Sequence, residues 1–451
     1  MTDPELLWND GLDSFKRDDF AGAENCFRQL QGSTFAVVDP DRVVLMLAAC
    51  CHGQNRLLPA MQQLLPLLRA RRHDRWFANA LMHYGSLCFE LGLSQHWLDV
   101  SAVLAVSFEP SGAVRDQQLV AMRGAAKLLV GDLSGGWRDF EARAAVGMSQ
   151  GLDLAIPRWS EQFCPAKARL LLLADQGIGD LFFSLRFIPL LRQRVASLTL
   201  ACGPALMALM EATQLFDAVR SSQGLALDGF DAWEYLTGLP SALQVASAQE
   251  VPMPTLVIPT EQMPLWCREL RAGPRQRPLV ALNWEGGKEA ENIYAGGIRE
   301  RSFPVQELDA VGALYDCDLL AVQVGAAARE IRATSLASRL VPQQSSFDDT
   351  PHEFLKTAAA LQSCDLLITN DTSVAHLGGC LGVPTWVLLK THPSWHWGDA
   401  GDQSLWYESI RCFRQPVPFD WASLMPCLDQ ALTAWINDWR HRRETQESPG
   451  L

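Results

Sequence analysis

From the N-terminus to about residue 145, apolar residues recur three and four positions apart, and no run alternates as a strand would. That periodicity predicts helices. One unit reads Leu7, Gly11, Phe15, Phe20, Ala23 and Phe27. Small residues at Gly11 and Ala23 let two helices cross closely, and the aromatic positions fill the space between them. A weaker unit runs through Tyr84, Gly85, Phe89, Gly92 and Leu104 to Pro110, and a third holds Gly131, Asp132, Trp137 and Phe140. The spacing predicts a degenerate helical repeat domain over 1–148, with an unrelated helical bundle as the alternative.

Near residue 150 the pattern changes. After a connecting stretch with Pro157, Arg158 and Trp159 comes a short, continuous apolar run from Ala168 to Ala174. Such a run, followed by a glycine-containing turn and a helical pattern, reads as a buried parallel strand. Further strand-like runs follow at Leu198–Cys202, Leu256–Pro259, Leu279–Asn283, Leu319–Val324, Leu366–Thr369 and Thr385–Leu389, each followed by helical periodicity. This alternation predicts α/β sheets covered by helices. Arg271–Pro278 has the proline, glycine and charge content of a linker. The expected order is therefore the repeat domain, one Rossmann-like domain over 149–272, a second over 273–441, and a polar tail over 442–451. Two such domains facing each other form a cleft at the carboxyl ends of their strands, where ligands bind.

Composition narrows the function classes. A formal net charge of −13 argues against a dedicated nucleic-acid binder. The N-terminus lacks the basic and apolar segments of a secretory signal, and no apolar run is long enough to span a membrane. The twelve cysteines are scattered and form no C-x-x-C pair, which suits reduced thiols in a cytoplasmic protein. No H-E-x-x-H, Walker or nucleophile-elbow motif is present.

Four segments have the residues for chemistry. Asp175-Gln-Gly-Ile-Gly-Asp180 follows the first strand of the α/β region. Gly177 and Gly179 permit a tight turn with exposed amides, and Asp180 opens a helix whose apolar faces are Phe182, Phe183, Leu185, Phe187 and Ile188. Asp180 is either a carboxylate able to take a proton at the cleft mouth or a plain helix cap. The second segment is Ile368–Gly379, where a strand ends in Asn370 and Asp371 and a helix starts at Thr372 and Ser373. Free amides there suit a diphosphate, and His376 lies one turn in; capping and a packed histidine are the structural alternative. Gly378 and Gly379 allow the same helix to pack closely on the sheet. The third segment is Asn283–Lys288 with Arg299–Pro304, where Lys288, Arg299 or Arg301 can neutralise a diphosphate and Gln323 ends the next strand; a solvated loop with ordinary surface charges is the alternative. The fourth holds Trp395 and Trp397, candidates for stacking on a sugar or base, near Trp406-Tyr407 and Arg411–Gln415; core packing is the alternative for each aromatic residue. Asp348-Asp349 resembles a metal pair, but its place before Thr350 and Pro351 reads as a helix cap.

Taken in order, Gly131–Arg143, Pro157-Arg-Trp159, Asp175–Asp180, Arg301-Ser-Phe-Pro304, Asn370–His376 and Phe413-Arg-Gln415 resemble the bacterial tetratricopeptide-repeat glycosyltransferases. The part from about 130 to 425 is similar to the lipopolysaccharide heptosyltransferases and, more distantly, to protein O-GlcNAc transferases. The resemblance implies a GT-B fold, a nucleotide-diphosphate sugar held mainly by the second α/β domain, and no required metal. It puts Asp180 at the position of a general base, Arg301 near the donor phosphates, and Asp371, Thr372, Ser373 and His376 in the donor-binding segment. Three departures surround that segment: Asp175 stands where the group usually has Glu, Glu285–Asn292 is longer and more acidic, and Ser394-Trp-His-Trp397 replaces a usual Asp-Trp-Arg-Trp.

The expected activity is inverting, metal-independent transfer of a sugar to a hydroxyl of a protein or glycan acceptor, with the repeat domain offering a groove to that acceptor. Two rival readings are a non-catalytic scaffold on a decayed transferase, motivated by the acidic loop 285–292, and a sugar-nucleotide epimerase of the same fold.

Overall fold

The computed structural model describes residues 3–31, 39–70, 74–105, 114–145, 154–160, 167–273, 275–287, 301–349 and 353–447. The chain divides into two compact units, one of Met1–Gly147 and one that contains both sheets.

The first unit is helical: α1 (Pro4–Lys16), α2 (Phe20–Leu30), α3 (Pro40–Gly53), α4 (Leu57–Ala70), α5 (Arg75–Leu91), α6 (Ser94–Ala105), α7 (Val114–Leu129) and α8 (Leu133–Phe140). Aspartates start several of them, with Asp3, Asp19, Asp74 and Asp132 side chains accepting from first-turn amides. Each helix packs on the next, and α5 also packs on α3 and α7, so the helices stack in chain order. Glycines set the close crossings. A Cβ at Gly11 would lie 2.7 Å from the Phe27 ring, and one at Gly136 would lie 2.6 Å from Leu128. Gly92 and Gly131 are left-handed turns after α5 and α7, with φ of 71° and 90°. Pro110 lies outside the described residues.

The second unit holds two sheets, and every strand pair in both is parallel. The first sheet has β1 (Arg169–Leu173), β2 (Ser197–Cys202), β3 (Ala218–Ser221) and β4 (Ala232–Tyr235) in the order β3-β2-β1-β4. The second has β5 (Leu279–Leu282), β6 (Asp318–Ala321), β7 (Leu366–Asn370), β8 (Thr385–Leu389) and β9 (Ile410–Arg414) in the order β6-β5-β7-β8-β9. Helices α9 (Ile178–Ser184), α10 (Ile188–Arg192), α11 (Pro204–Thr213), α12 (Leu239–Ala242), α13 (Leu265–Ala272), α14 (Gln344–Asp349), α15 (Phe354–Leu361), α16 (Ser373–Cys380) and α17 (Met425–Glu447) complete it. The second sheet's core is the inward row of β5, β6, β7 and β8 with Leu428, Leu432 and Ile436 of α17.

Each sheet reverses its strand order at one place, between β1 and β4 and between β5 and β7. The loops leaving such neighbours diverge, which opens a crevice at the carboxyl ends of the strands. Asp175–Asp180 leaves β1 at the first reversal; Asn283–Gly287 and Asp371–Ser373 leave β5 and β7 at the second.

Three expectations need correction. Leu256–Pro259 forms no strand: the Leu256 N–H donates to the Cys380 carbonyl at 2.7 Å and the Ile258 N–H to Gln362 Oε1 at 2.8 Å, so no neighbouring strand pairs with it. Residues 442–447 are not a separate polar tail. Helix α17 runs to Glu447, and Arg443 donates to the Arg275 carbonyl at 2.9 Å; residues 448–451 lie outside the described residues. Asp348 does not cap the next helix. It sits in the last turn of α14, where it pairs with Arg332 at 2.7 Å and accepts from Gln344 at 2.8 Å. Thr350 and Pro351 lie outside the described residues. Among the described residues no helix is long and apolar enough to cross a membrane.

The α7–α8 crossing supplies a stability test. A Cβ at Gly124 would lie 2.5 Å from the backbone nitrogen of Phe140, an atom that cannot rotate away. Gly124→Ala should therefore destabilise the helical unit by about 1–3 kcal/mol, read as a lower denaturant midpoint in far-ultraviolet circular dichroism. An unchanged midpoint would show that the two helices are not packed this closely.

Candidate functional site

The site begins at the turn after β1. Gln176 takes the left-handed conformation there, with φ of 60°, whereas Gly177 has φ of −77°. The Gly177 amide is not open to a ligand, because it donates to Asp180 Oδ2 at 3.1 Å. Gly179 is needed for a different reason than a turn: a Cβ there would lie 2.9 Å from Cδ2 of His376. With no side chain at Gly179, α9 packs along α16, and the two strand-order reversals are brought together. The Cys380 thiol, at the end of α16, lies 3.4 Å from the Phe182 carbonyl on α9.

Asp180 is at the third position of α9, so it is both a cap and a site group. Its Oδ1 lies 3.4 Å from Nε2 of His396, and 27% of its side chain is exposed. Burial works to raise its carboxyl, but His396, His376 and the Gly177 N–H outweigh burial and hold it below the usual carboxylate range. Behind the same turn, the buried Asp175 accepts from the Thr237 amide at 3.1 Å and from the Thr237 hydroxyl, tying the β1 and β4 loops together.

The donor-side residues divide into clamps and open groups. Asp371 is buried and accepts from Trp397 Nε1 at 2.8 Å and from the Ser394 amide at 3.2 Å. Burial would raise it, yet the Arg301 charge and the Trp397 N–H hold it low. His376 is buried, stacks on Trp397 with centroids 4.8 Å apart, and meets the Tyr407 hydroxyl through Nδ1 at 2.9 Å. Burial and the neighbouring His396 push it down to about 3, against the pull of Asp371 and Asp180. Gln323 is buried and spends its amide on the loop after β5: Oε1 accepts from Asn283 Nδ2 at 2.7 Å and from the amides of Trp284 and Glu285, while Nε2 donates to the Glu285 carbonyl at 3.2 Å. Asn283 Oδ1 in turn accepts from Thr369 and Thr372 at 3.0 and 3.1 Å, closing the second reversal.

Asp371, His376 and Gln323 are therefore held by the protein itself. Trp397 is only 1% exposed and is not available for stacking on a ligand; Trp406 and Tyr407 are buried as well. The partly open groups are Asp180, Thr372, Ser373, Arg301 and Trp395, with Gly286 beside Thr372. The Arg301 carbonyl accepts from Asn370 Nδ2 at 3.0 Å, which anchors that residue at the end of β7. Lys288, Arg299 and most of the acidic loop, 288–292, lie outside the described residues. Among the described residues no cluster of His, Cys, Asp or Glu is arranged to hold a metal ion.

Two residues of this site have no clear signal in the local sequence pattern. Arg186 is buried with its guanidinium 4.4–4.9 Å from the Phe183, Tyr407 and Trp406 rings, and it donates to the Trp406 carbonyl at 2.9 Å. His396 is the second; in the sequence it shows only as a polar residue between Trp395 and Trp397.

No family model matches the sequence, and no curated protein matches it. Among solved structures, the chain is similar to a family 9 glycosyl transferase from Veillonella parvula, with 12% identity and a TM-score of 0.40, covering 56% of this chain and 87% of that one. It is similar to the E. coli ADP-heptose lipopolysaccharide heptosyltransferase II, with 11% identity and a TM-score of 0.40, covering 58% and 98%. A Thermobaculum terrenum O-GlcNAc transferase variant matches with 12% identity and a TM-score of 0.29, covering 97% and 94%. At these values none of the three assigns a residue or an activity to this chain.

The buried histidine gives a pH prediction. In the unfolded chain His376 titrates near its ordinary 6.5, and in the fold only near 3. The unfolded state therefore binds the extra proton first as pH falls. This contribution to stability is complete above pH ~6.5 and is lost down to pH ~3, at up to about 1.4 kcal/mol per pH unit. Unfolding midpoints between pH 7 and 4 should fall with a slope that His376→Asn reduces. Equal slopes in both proteins would mean that His376 is already protonated in the fold.

Proposed function

We propose that the protein is a glycosyltransferase of GT-B architecture with two Rossmann-like α/β halves. It moves a sugar from a nucleotide diphosphate to a hydroxyl of a protein or glycan acceptor. The observation that carries this reading is the position of Asp180: a partly exposed carboxylate, held ionised at one strand-order reversal, packed against the Asp371–His376 segment at the other. The ordered motif resemblance points the same way.

Asp180 takes the proton of the acceptor hydroxyl, and the acceptor oxygen bonds to the anomeric carbon from the face opposite the diphosphate. The bond from that carbon to the diphosphate oxygen breaks, and the electron pair leaves with the diphosphate. Arg301 and the Ser373 amide, at the start of α16, stabilise the departing charge without a metal ion; the Thr372 amide is taken by the Asn370 carbonyl at 2.8 Å. Trp395 supplies a face for the sugar or base. The helical unit is a tetratricopeptide-like array that holds the acceptor, and the protein works in the cytoplasm.

A scaffold built on this fold is the second reading. It is favoured by the engagement of Asp371, His376, Gln323 and Trp397 with one another and with neighbouring loops, which leaves fewer groups for a donor.

Melting temperatures with UDP, GDP, ADP, CMP and dTDP, and then with their sugar conjugates, separate the two. A ligand at a hundred times its dissociation constant adds about 2.7 kcal/mol, a clear upward shift. One responding nucleotide is expected; a folded protein that responds to none favours the scaffold. With the responding donor and an acceptor extract, Asp180→Asn should abolish transfer while the thermal shift survives. Undiminished transfer by that variant would remove Asp180 as the base.

A further inference from the structure

His396 is enclosed on every side that the structure describes. It is 6% exposed. The Trp395 ring stacks on it with centroids 3.6 Å apart, the Phe183 ring lies edge-on at 4.8 Å, and the His376 ring at 4.7 Å. Its Nδ1 is 3.3 Å from the Ser394 hydroxyl, and its Nε2 faces Asp180 Oδ1 at 3.4 Å with no hydrogen-bond partner at closer range. A lone pair on Nε2 turned toward a carboxylate would repel it. The arrangement that satisfies both nitrogens has the Ser394 hydroxyl donating to Nδ1 and the Nε2 hydrogen directed at Asp180. A doubly protonated ring directs the same hydrogen the same way. The other ionisable groups around this imidazole are His376 and Asp371, both buried.

Asp180 is then fixed at both oxygens, Oδ2 by the Gly177 amide and Oδ1 by His396. The partners come from different halves of the unit: Asp180 follows β1, and His396 lies in the loop between β8 and β9. A contact of 3.4 Å is long for a hydrogen bond, as contacts in ligand-free catalytic sites often are before they tighten around substrate.

We propose that His396 is the positioning residue of the site: from the second α/β half it turns Asp180 Oδ1 and holds it as the proton acceptor for the incoming hydroxyl. This rests on the transferase reading. His396 is too enclosed to touch substrate and acts only through Asp180.

The test uses two variants of the full chain. His396→Gln keeps a side-chain N–H donor near the position of Nε2; His396→Phe keeps a ring against Trp395 and removes the donor. The first measurement is NMR titration of protein labelled at its aspartate carboxyls, with the Asp180 signal assigned by its loss in Asp180→Asn. The Asp180 carboxyl should titrate higher in His396→Phe than in the wild type, and His396→Gln should restore most of the difference. The second is turnover of the sugar nucleotide that gives the largest thermal shift. His396→Phe should lower kcat on the order of a hundredfold with little change in KM, and His396→Gln should recover most of it. A folded His396→Phe protein with an unmoved Asp180 signal overturns the proposal, as does a kcat equal to that of the wild type. If the signal moves as expected but the wild type turns over no sugar nucleotide, the transferase reading fails and the positioning role in transfer fails with it, while the Asp180–His396 pairing stands.

Discussion

The backbone of α9 at Gly179 lies directly against the ring of His376, and the rest of the site follows from that approach. Any Cβ at Gly179 would push the helices apart. With hydrogen there, Asp180 is delivered one residue later to the edge of the loop that holds His396. His376 pays for this closeness by being buried and neutral, its ring packed on Trp397 and its Nδ1 on Tyr407. Trp397 in turn holds Asp371. One absent side chain thus sets the spacing of two carboxylates, two imidazoles and an indole.

Arg186 shows how the same contact tolerates charge. It is 1% exposed, and among the described residues no carboxylate pairs with it. A buried cation without an anion is costly unless something else compensates. Here the compensation is three aromatic faces and the carbonyls of Phe183 and Trp406. An acidic partner would have placed a competing carboxylate near Asp180. The aromatic cage fixes the joint between the halves while leaving the two aspartates as the anionic groups there.

What could be read in the sequence follows from how each residue is neutralised. Strands β1, β2, β5, β7 and β8 are nearly continuous apolar runs with both faces covered, and they were legible for that reason. Strands β4 and β9 were not: β4 carries the buried Glu234, which Arg158 reaches across the fold at 2.7 Å, and β9 holds two arginines among its apolar residues. Leu256–Pro259 has the composition of a strand but meets α16 and Gln362 instead of a neighbouring strand. At the site, local spacing revealed Asp180 and the Asp371–His376 segment, because a strand-to-helix turn is local. It gave no sign that Trp397 binds Asp371, that Gln323 binds Asn283, or that His396 meets Asp180, because those contacts form between loops far apart in the chain.

The division between clamps and open groups has a chemical consequence. Groups that must hold a reacting geometry work best when their own orientation is fixed by packing and hydrogen bonds behind them. Asp371, His376, Gln323 and Asn283 form that backing, with their polar atoms turned into the protein. What remains in front is a small set: one carboxylate on the first half, and on the second the Ser373 hydroxyl at a helix start, an arginine and a tryptophan face. That set puts a carboxylate on one side and cationic or amide groups on the other, the two signs of charge on which the proposed transfer relies. His396 lies behind the Asp180 carboxylate and not in front of it, so it bears on how that carboxylate is oriented.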